Sequence, residues 1–129
     1  MLRTVDETYL HSKGYEFEEV IDQGLICITV KNYALPVGYD TTNTDLLLRL
    51  PPAFPDAQPD MFWCNPAIRL ASTGAFPQAA DQMENHLGRV WQRFSRHLGQ
   101  GVWIPGTDGV GSYMTLIRSE LVRSLTGSS

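Results

Sequence analysis

Two cysteines, Cys27 and Cys64, are the first candidates for nucleophilic chemistry or metal binding in this chain of 129 residues. They form neither a CxxC pair nor a zinc-binding spacing, and the three histidines add no ligand pattern. We therefore expect no metal and no cofactor. A free cysteine is most often a small buried hydrophobic residue. Cys27 falls in the middle of a predicted strand, whereas Cys64 falls at a strand end beside a loop, where exposure and a lowered thiol pKa are easier to achieve.

A group of cationic and aromatic residues in the second half of the chain is a candidate partner-binding surface. Its members are Arg89, Arg93, Arg96, Trp91 and Trp103. The arginines, with His97, form a basic stripe suited to an acidic surface or a carboxylate, and the alternative is an ordinary solvated helix face. Tryptophan is enriched at binding hot spots, but large aromatic residues at this spacing more often belong to a core.

The composition is that of one ordinary folded domain over residues 1–129, with 43% hydrophobic and 19% charged residues. A formal net charge of −4 argues against general nucleic-acid binding, because phosphate contacts require a concentrated basic surface. The longest conspicuous apolar run, LICITV, is far too short to cross a bilayer, and the acidic amino terminus lacks the apolar core of a secretory signal. We expect a cytoplasmic protein that does not bind membranes.

The first half of the chain predicts a short helix followed by an antiparallel meander of four strands. Thr4 with Glu7 three positions later forms a capping-box pattern for a helix from Val5 to Lys13. Period-two alternation predicts strands from Tyr15 to a turn at residues 22–24, and over Leu25–Lys31, Asp45–Leu50 and Met61–Cys64. The buried face of this meander should carry Ile26, Ile28, Leu46, Leu48 and Leu50, and Val30 alternates onto the same strand face as Ile26 and Ile28. Pro51–Pro59 cannot join a regular strand ladder and is a connection.

The second half predicts helices. From Ala80 to Leu98, apolar residues recur at intervals of three and four, which is typical of an amphipathic helix. Gly88 costs about 1 kcal/mol relative to alanine, so the alternative is a break in the helix or an extended second half, RVWQRFSRHL. Further on, Asp108 is a candidate N-cap of a final helix. The apolar stripe of that helix consists of Met114, Ile117, Leu121 and Leu125.

The order of these elements resembles the ubiquitin-conjugating-enzyme fold, an α+β architecture with an N-terminal helix, a four-stranded meander and C-terminal helices. The segment LLLRLPPAFPDAQPDMFW is similar to that family's third strand and its Tyr-Pro-Phe-x-Pro-Pro bend, and Trp103-Ile104-Pro105 is similar to its Trp-Ser-Pro element. More closely, LLLRLP, FPDxxPDMFW, GRxWQRxSRH, WxPGxD and SYM, in this order, resemble the prokaryotic ubiquitin-conjugating-enzyme-like family E.

The sequence departs from ubiquitin-conjugating enzymes at the residues that carry their chemistry. Their His-Pro-Asn triplet is absent, and Asn85-His86 supplies two of its residue types in reversed order. Where the resemblance places the nucleophilic cysteine, shortly before the Trp-x-Pro element, the nearest equivalent is Ser95. A serine hydroxyl is a far weaker nucleophile than a thiolate unless a base activates it. His97 faces Ser95 only in an extended segment, because residues two apart do not share a helix face.

The resemblance implies a component of a bacterial ubiquitin-like protein modification pathway. Its implied partners are a ubiquitin-like protein, an activating enzyme and a JAB-type metalloprotease. We expect a non-catalytic adaptor, since Ser95 stands where a cysteine is required. The alternative is an active carrier that uses Cys64, or Ser95 with His97. A third class, an unrelated hydrolase built on Ser95 and His97, requires an acid and an oxyanion site that the sequence does not identify.

Overall fold

The computed structural model describes residues 2–59, 61–96, 103–104 and 108–126. In this part of the chain, helix α1 precedes six strands and helix α2 follows them. The helices are α1, Thr4–Ser12, and α2, Val110–Leu125. The strands are β1, Glu16–Asp22; β2, Leu25–Ala34; β3, Asn43–Leu50; β4, Met61–Asn65; β5, Gln82–His86; and β6, Arg89–Ser95. The predicted α+β class is confirmed.

The six strands form one antiparallel sheet in the order β1-β2-β3-β4-β6-β5. The predicted meander forms its first four strands, with Ile28 paired to Glu19 of β1 on one side and to Leu48 of β3 on the other. Strand β6 then pairs with β4, and β5 lies at the edge. The sheet is therefore two strands wider than predicted.

The predicted helix from Ala80 to Leu98 is wrong for the residues that the structure describes. A β-hairpin replaces it, in which His86 pairs with Arg89 across a two-residue turn. Leu87 and Gly88 occupy that turn with φ values of 55° and 75°. Positive φ at both central positions is the conformation that matches the twist of a hairpin, and glycine adopts it without strain. The extended alternative is confirmed for Arg89–Ser95, and α2 is the one C-terminal helix in the described residues.

The main core lies between the sheet and the two helices. The predicted buried residues Ile26, Ile28, Leu46, Leu48 and Leu50 all belong to it, as does Val30 on the same face. Helix α2 contributes Met114, Ile117 and Leu121, and α1 contributes Leu10. The alternation of β2 and β3 and the apolar stripe of α2 are thus confirmed, because each element turns one apolar face toward the same interior.

The caps of both helices differ from the sequence prediction. Helix α1 begins at Thr4 after an extended Arg3, with no side-chain cap, so the predicted capping box does not form. Asp108 instead accepts a hydrogen bond from the Ile104 amide, and Gly109 precedes α2. The Val110 amide, which has no carbonyl partner within the first turn of α2, donates to Asp6 Oδ1 at 3.0 Å. The buried carboxylate of α1 thus accepts a hydrogen bond from a backbone N–H group at the start of α2. Its negative charge also interacts favourably with the positive end of the α2 dipole.

Candidate functional site

Strand β6 carries most of the residues that the sequence singled out. Its alternation turns Arg89, Trp91, Arg93 and Ser95 to the outer face of the sheet, away from the helices. Phe94 turns inward and joins the main core, whereas Val90, near the hairpin turn, is exposed. Gln92 also lies inward, and its amide nitrogen donates to the carbonyls of Ile68 and Ala80. The hairpin is therefore fixed on both faces of the sheet.

Ser95 is half-buried at the end of β6. Its hydroxyl oxygen accepts a hydrogen bond from Arg93 Nε at 3.1 Å. A guanidinium cannot take a proton from serine, because it has no acceptor and stays charged. His97, the predicted base, lies outside the described residues, so the described partner of Ser95 is a positioning donor and not an activating base.

Cys64 lies in the main core, and the exposure expected for it is wrong. Its side chain is 0% exposed because β4 is flanked on both sides, by β3 at Leu46 and by β6 at Gln92. Burial raises the pKa of the thiol strongly, and a hydrogen bond with Thr44 offsets only part of that rise. A neutral thiol without access to solvent is a poor nucleophile.

A second apolar cluster covers the outer face of the sheet. It consists of Cys27, Leu47, Trp63 and Trp91. Cys27 is 0% exposed, as expected for a mid-strand residue, and burial raises its thiol pKa although Arg49 lies close. We call these four residues the outer cluster. Trp91 is a core residue of this cluster, and its Nε1 donates to the His86 carbonyl at 2.9 Å.

The three predicted arginines do not form one stripe. Arg89 and Arg93 lie on the outer face and pair with Asp45 at 3.1 Å and Glu84 at 2.7 Å. Arg96 turns to α2, where its Nε lies 3.0 Å from Glu120 in an ion pair without hydrogen-bond alignment. Its side chain is only 10% exposed. A common basic surface is thus replaced by three separate ion pairs.

Trp103 also packs inside the protein. Its ring lies 5.8 Å from that of Phe54 and 6.4 Å from that of Tyr113, measured between centroids. Its Nε1 donates to the Pro55 carbonyl at 2.7 Å. Trp103 therefore attaches the proline-rich connection to α2, and its burial leaves little surface for a partner.

Glu84 organises a polar cluster on the outer face that the sequence analysis missed. Its carboxylate accepts hydrogen bonds from Trp63 Nε1 at 2.9 Å and Arg93 at 2.7 Å, and His86 Nε2 lies 3.0 Å away. Burial alone raises the pKa of Glu84, but these three partners together lower it below its ordinary value. Glu84 and His86 share a face only in a strand, so the helix prediction concealed the cluster. The turn at Gly88 was the available signal.

The described residues hold no group of three or more histidine, cysteine or acidic side chains that is arranged to bind a metal ion. Neither α1 nor α2 combines the length and the apolar character needed to cross a membrane.

The comparison with protein families matches a model described as prokaryotic E2 family E over residues 2–124. That match covers almost the whole chain. The chain belongs to prokaryotic E2 family E. The resemblance seen in the sequence motifs is thereby confirmed.

No curated protein and no solved structure matches this family E chain. Membership indicates an E2-like component of a ubiquitin-like pathway, with a ubiquitin-like protein and an activating enzyme as partners in general terms. Membership of family E does not identify the functional residues of this chain or establish catalytic activity. Both must be argued from its own side chains.

Proposed function

We propose that this family E chain is a ubiquitin-conjugating-enzyme-like adaptor in a bacterial ubiquitin-like modification pathway, and that it carries no covalent intermediate. The burial of both cysteines carries this proposal. The chain has two cysteines, and each is 0% exposed with a raised thiol pKa. A carrier that accepts a ubiquitin-like protein by transthiolation requires an accessible thiolate, which neither residue offers.

The order of α1, the β1–β4 meander and α2 supports a ubiquitin-conjugating-enzyme-like fold for this adaptor. Its partner is a ubiquitin-like protein or the activating enzyme, with a JAB-type metalloprotease as a further pathway member and the cytoplasm as the compartment. Of the five predicted partner-binding residues, Arg89 and Arg93 retain the most exposed side chains, at 39% and 29%. We propose that a partner meets the outer face at these two arginines.

A reconstituted reaction tests catalysis. The protein is incubated with the cognate activating enzyme, the ubiquitin-like protein and ATP, and the products are separated with and without reductant. We expect no covalent adduct. A reductant-sensitive adduct that is lost in Cys64→Ala, with the variant still folded and with Cys27→Ser as the matched control, would overturn the adaptor proposal.

The same reaction examines the alternative carrier site at Ser95. An ester on serine resists reductant, and it must disappear in Ser95→Ala. Loss of such an adduct in Ser95→Ala, together with slower formation in His97→Ala by roughly 10²- to 10⁴-fold, would establish the active carrier instead.

Thiol alkylation tests whether Cys27 and Cys64 are buried in the native protein, which is the observation that carries the proposal. Native protein is treated with iodoacetamide and analysed by mass spectrometry, with protein in urea as the control. Both cysteines should remain unmodified in the native protein and react completely in urea. Rapid native labelling of Cys64 contradicts its burial.

Binding of the cognate ubiquitin-like protein, measured by titration calorimetry, tests the adaptor role directly. Arg89→Gln should weaken binding, whereas Arg123→Gln should not. Arg123 is a matched control, because it is also an exposed arginine with a carboxylate partner but lies on α2. Equal weakening by both substitutions, or by neither, contradicts the proposed surface.

A further inference from the structure

An open groove of about 380 Å³ lies between the two helices, at the first strand's start and the second strand's end. Tyr9 and Lys13, at the end of α1, line one side of it. Tyr15, just before β1, Tyr33 of β2 and Arg118 of α2 also line it. We call this the tyrosine groove. Among the residues that the structure describes, none that belongs to the proposed adaptor or carrier site lines the groove.

The tyrosine groove contains cationic side chains that have no described carboxylate partner. Of the ten lysines and arginines, seven pair with carboxylates. Within the described residues, Lys13, Arg69 and Arg118 have no carboxylate partner, and two of these three line the groove. No acidic residue of the described part of the chain lines it. A local positive site in a chain of net charge −4 is a complement to an anionic group.

Arg118 keeps most of its hydrogen-bonding capacity. Its Nη1 donates to the Ala34 carbonyl at 2.7 Å, which anchors the guanidinium at the end of β2. The other N–H groups of its planar fork have no described partner and suit a carboxylate, which accepts two parallel hydrogen bonds.

The three groove tyrosines add hydroxyl groups without a protein partner. The hydroxyls of Tyr39 and Tyr113 donate to the backbone carbonyls of Leu121 and Met61. No described group bonds the hydroxyls of Tyr9, Tyr15 or Tyr33, although Tyr33 is only 4% exposed. Burial raises the pKa of Tyr9 and Tyr15, so both hydroxyls stay protonated donors at neutral pH.

The aromatic walls are held in place before any ligand arrives. Tyr9 packs directly on α2, where a Cβ at Gly111 would lie 2.9 Å from the Tyr9 ring. Tyr15 and Tyr33 contact each other with ring centroids 6.2 Å apart. A preformed apolar wall with a few convergent polar groups is the usual construction of a ligand site.

We propose that the tyrosine groove binds a short acidic peptide segment of a partner protein, with its carboxylates on Arg118 and Lys13 and an apolar side chain against the tyrosine rings. Peptide carbonyls accept from the tyrosine hydroxyls. The groove is open, which lets a chain enter and leave. Phosphate sites are usually built from the free backbone N–H groups of helix N-termini or glycine-rich loops, whereas this groove offers its hydrogen bonds from the side chains of Arg118, Lys13 and the tyrosines. This inference does not depend on the conjugation pathway.

The test is a titration of ¹⁵N-labelled protein followed by amide chemical shifts. The probe is a library of capped hexapeptides with glutamate at the second and fourth positions and Leu, Phe, Tyr or Ser between them. The matched library carries glutamine in place of glutamate, and inorganic phosphate is a third arm. We expect saturable shifts around Tyr33 and Thr115 with the glutamate library and roughly ten-fold weaker binding with glutamine.

Three variants sharpen the result. Arg118→Gln should weaken the best glutamate peptide by about ten-fold, and Tyr33→Phe, which keeps the ring and removes the hydroxyl, by roughly three-fold. Arg123→Gln, on the same helix but outside the groove, should leave affinity within about two-fold. Thermal melts confirm that each variant is folded.

Absence of groove shifts with every glutamate peptide overturns the proposal. Equal affinity for the glutamine library, or an effect of Arg123→Gln as large as that of Arg118→Gln, also overturns it. Groove shifts with phosphate that displace the peptides would assign the site to small anions instead.

Discussion

The two faces of the sheet are covered by different kinds of side chain. On the inner face, Leu48 belongs to the same core cluster as the apolar stripe of α2, including Met114 and Ile117. On the outer face no helix is present in the described residues, and Leu47 packs with Trp63 and the rest of the outer cluster. Charged side chains cover this cluster instead. The stems of long charged residues can shield apolar surface while their charged ends remain in water.

Cationic side chains lie over both tryptophans of the outer face. Arg49 lies 5.9 Å from the ring of Trp63, and Arg89 lies 4.7 Å from that of Trp91, each measured from Cζ to the ring centroid. Glu84 joins Trp63 to Arg93. A sheet face without a helix can therefore still be buried, provided that ion pairs fix the long side chains above it.

The largest expected effect is on the inner face. Leu48→Ala should lower the free energy of unfolding by about 3–5 kcal/mol, because the rigid helix and sheet around it cannot close the cavity. Urea unfolding monitored by circular dichroism measures this change. A loss below about 1 kcal/mol would show that α2 does not pack on β3.

The matched substitution on the outer face should cost less. Leu47 is the next residue of β3 and is equally buried, so Leu47→Ala removes the same atoms. We expect a loss of about 2–3 kcal/mol, since flexible arginine side chains can relax into the space. If Leu47→Ala costs as much as Leu48→Ala in the same urea experiment, the outer cover is as rigid as the helix layer.

The smallest effect concerns Glu84. Its pKa is lower in the folded protein than its ordinary value, so its ionised form stabilises the fold, and that contribution is present above about pH 4.3. It is lost as the pH falls through the folded pKa. Glu84→Gln should therefore cost about 1 kcal/mol at pH 7 and almost nothing below that transition. Urea midpoints of both proteins between pH 3 and 7 measure the difference, and a difference independent of pH would exclude the charge of Glu84 as its cause.

Much of the fold, and little of the candidate site, was predictable from sequence. Alternation identified β2 and β3 and the residues they bury, because side chains of a strand alternate whatever they contact. Around Gly88 the apolar spacing also fits a helix. The sequence therefore predicts a helix there first and an extended segment only as the alternative. For the site, the prediction of a thiol near the surface failed at Cys64, and the basic stripe separated into ion pairs.

By itself, the sequence determined the strands of the meander, the inward face of β3, the apolar stripe of α2 and the family, since all of these depend on order and periodicity along the chain. Only the tertiary structure decided that Cys64 is enclosed between β3 and β6, that Arg96 pairs with Glu120, and that Leu47 is buried beneath charged side chains. Local periodicity specifies the direction in which a side chain points. Burial and pairing depend on which distant segments meet it there, and those segments lie tens of residues away in the sequence.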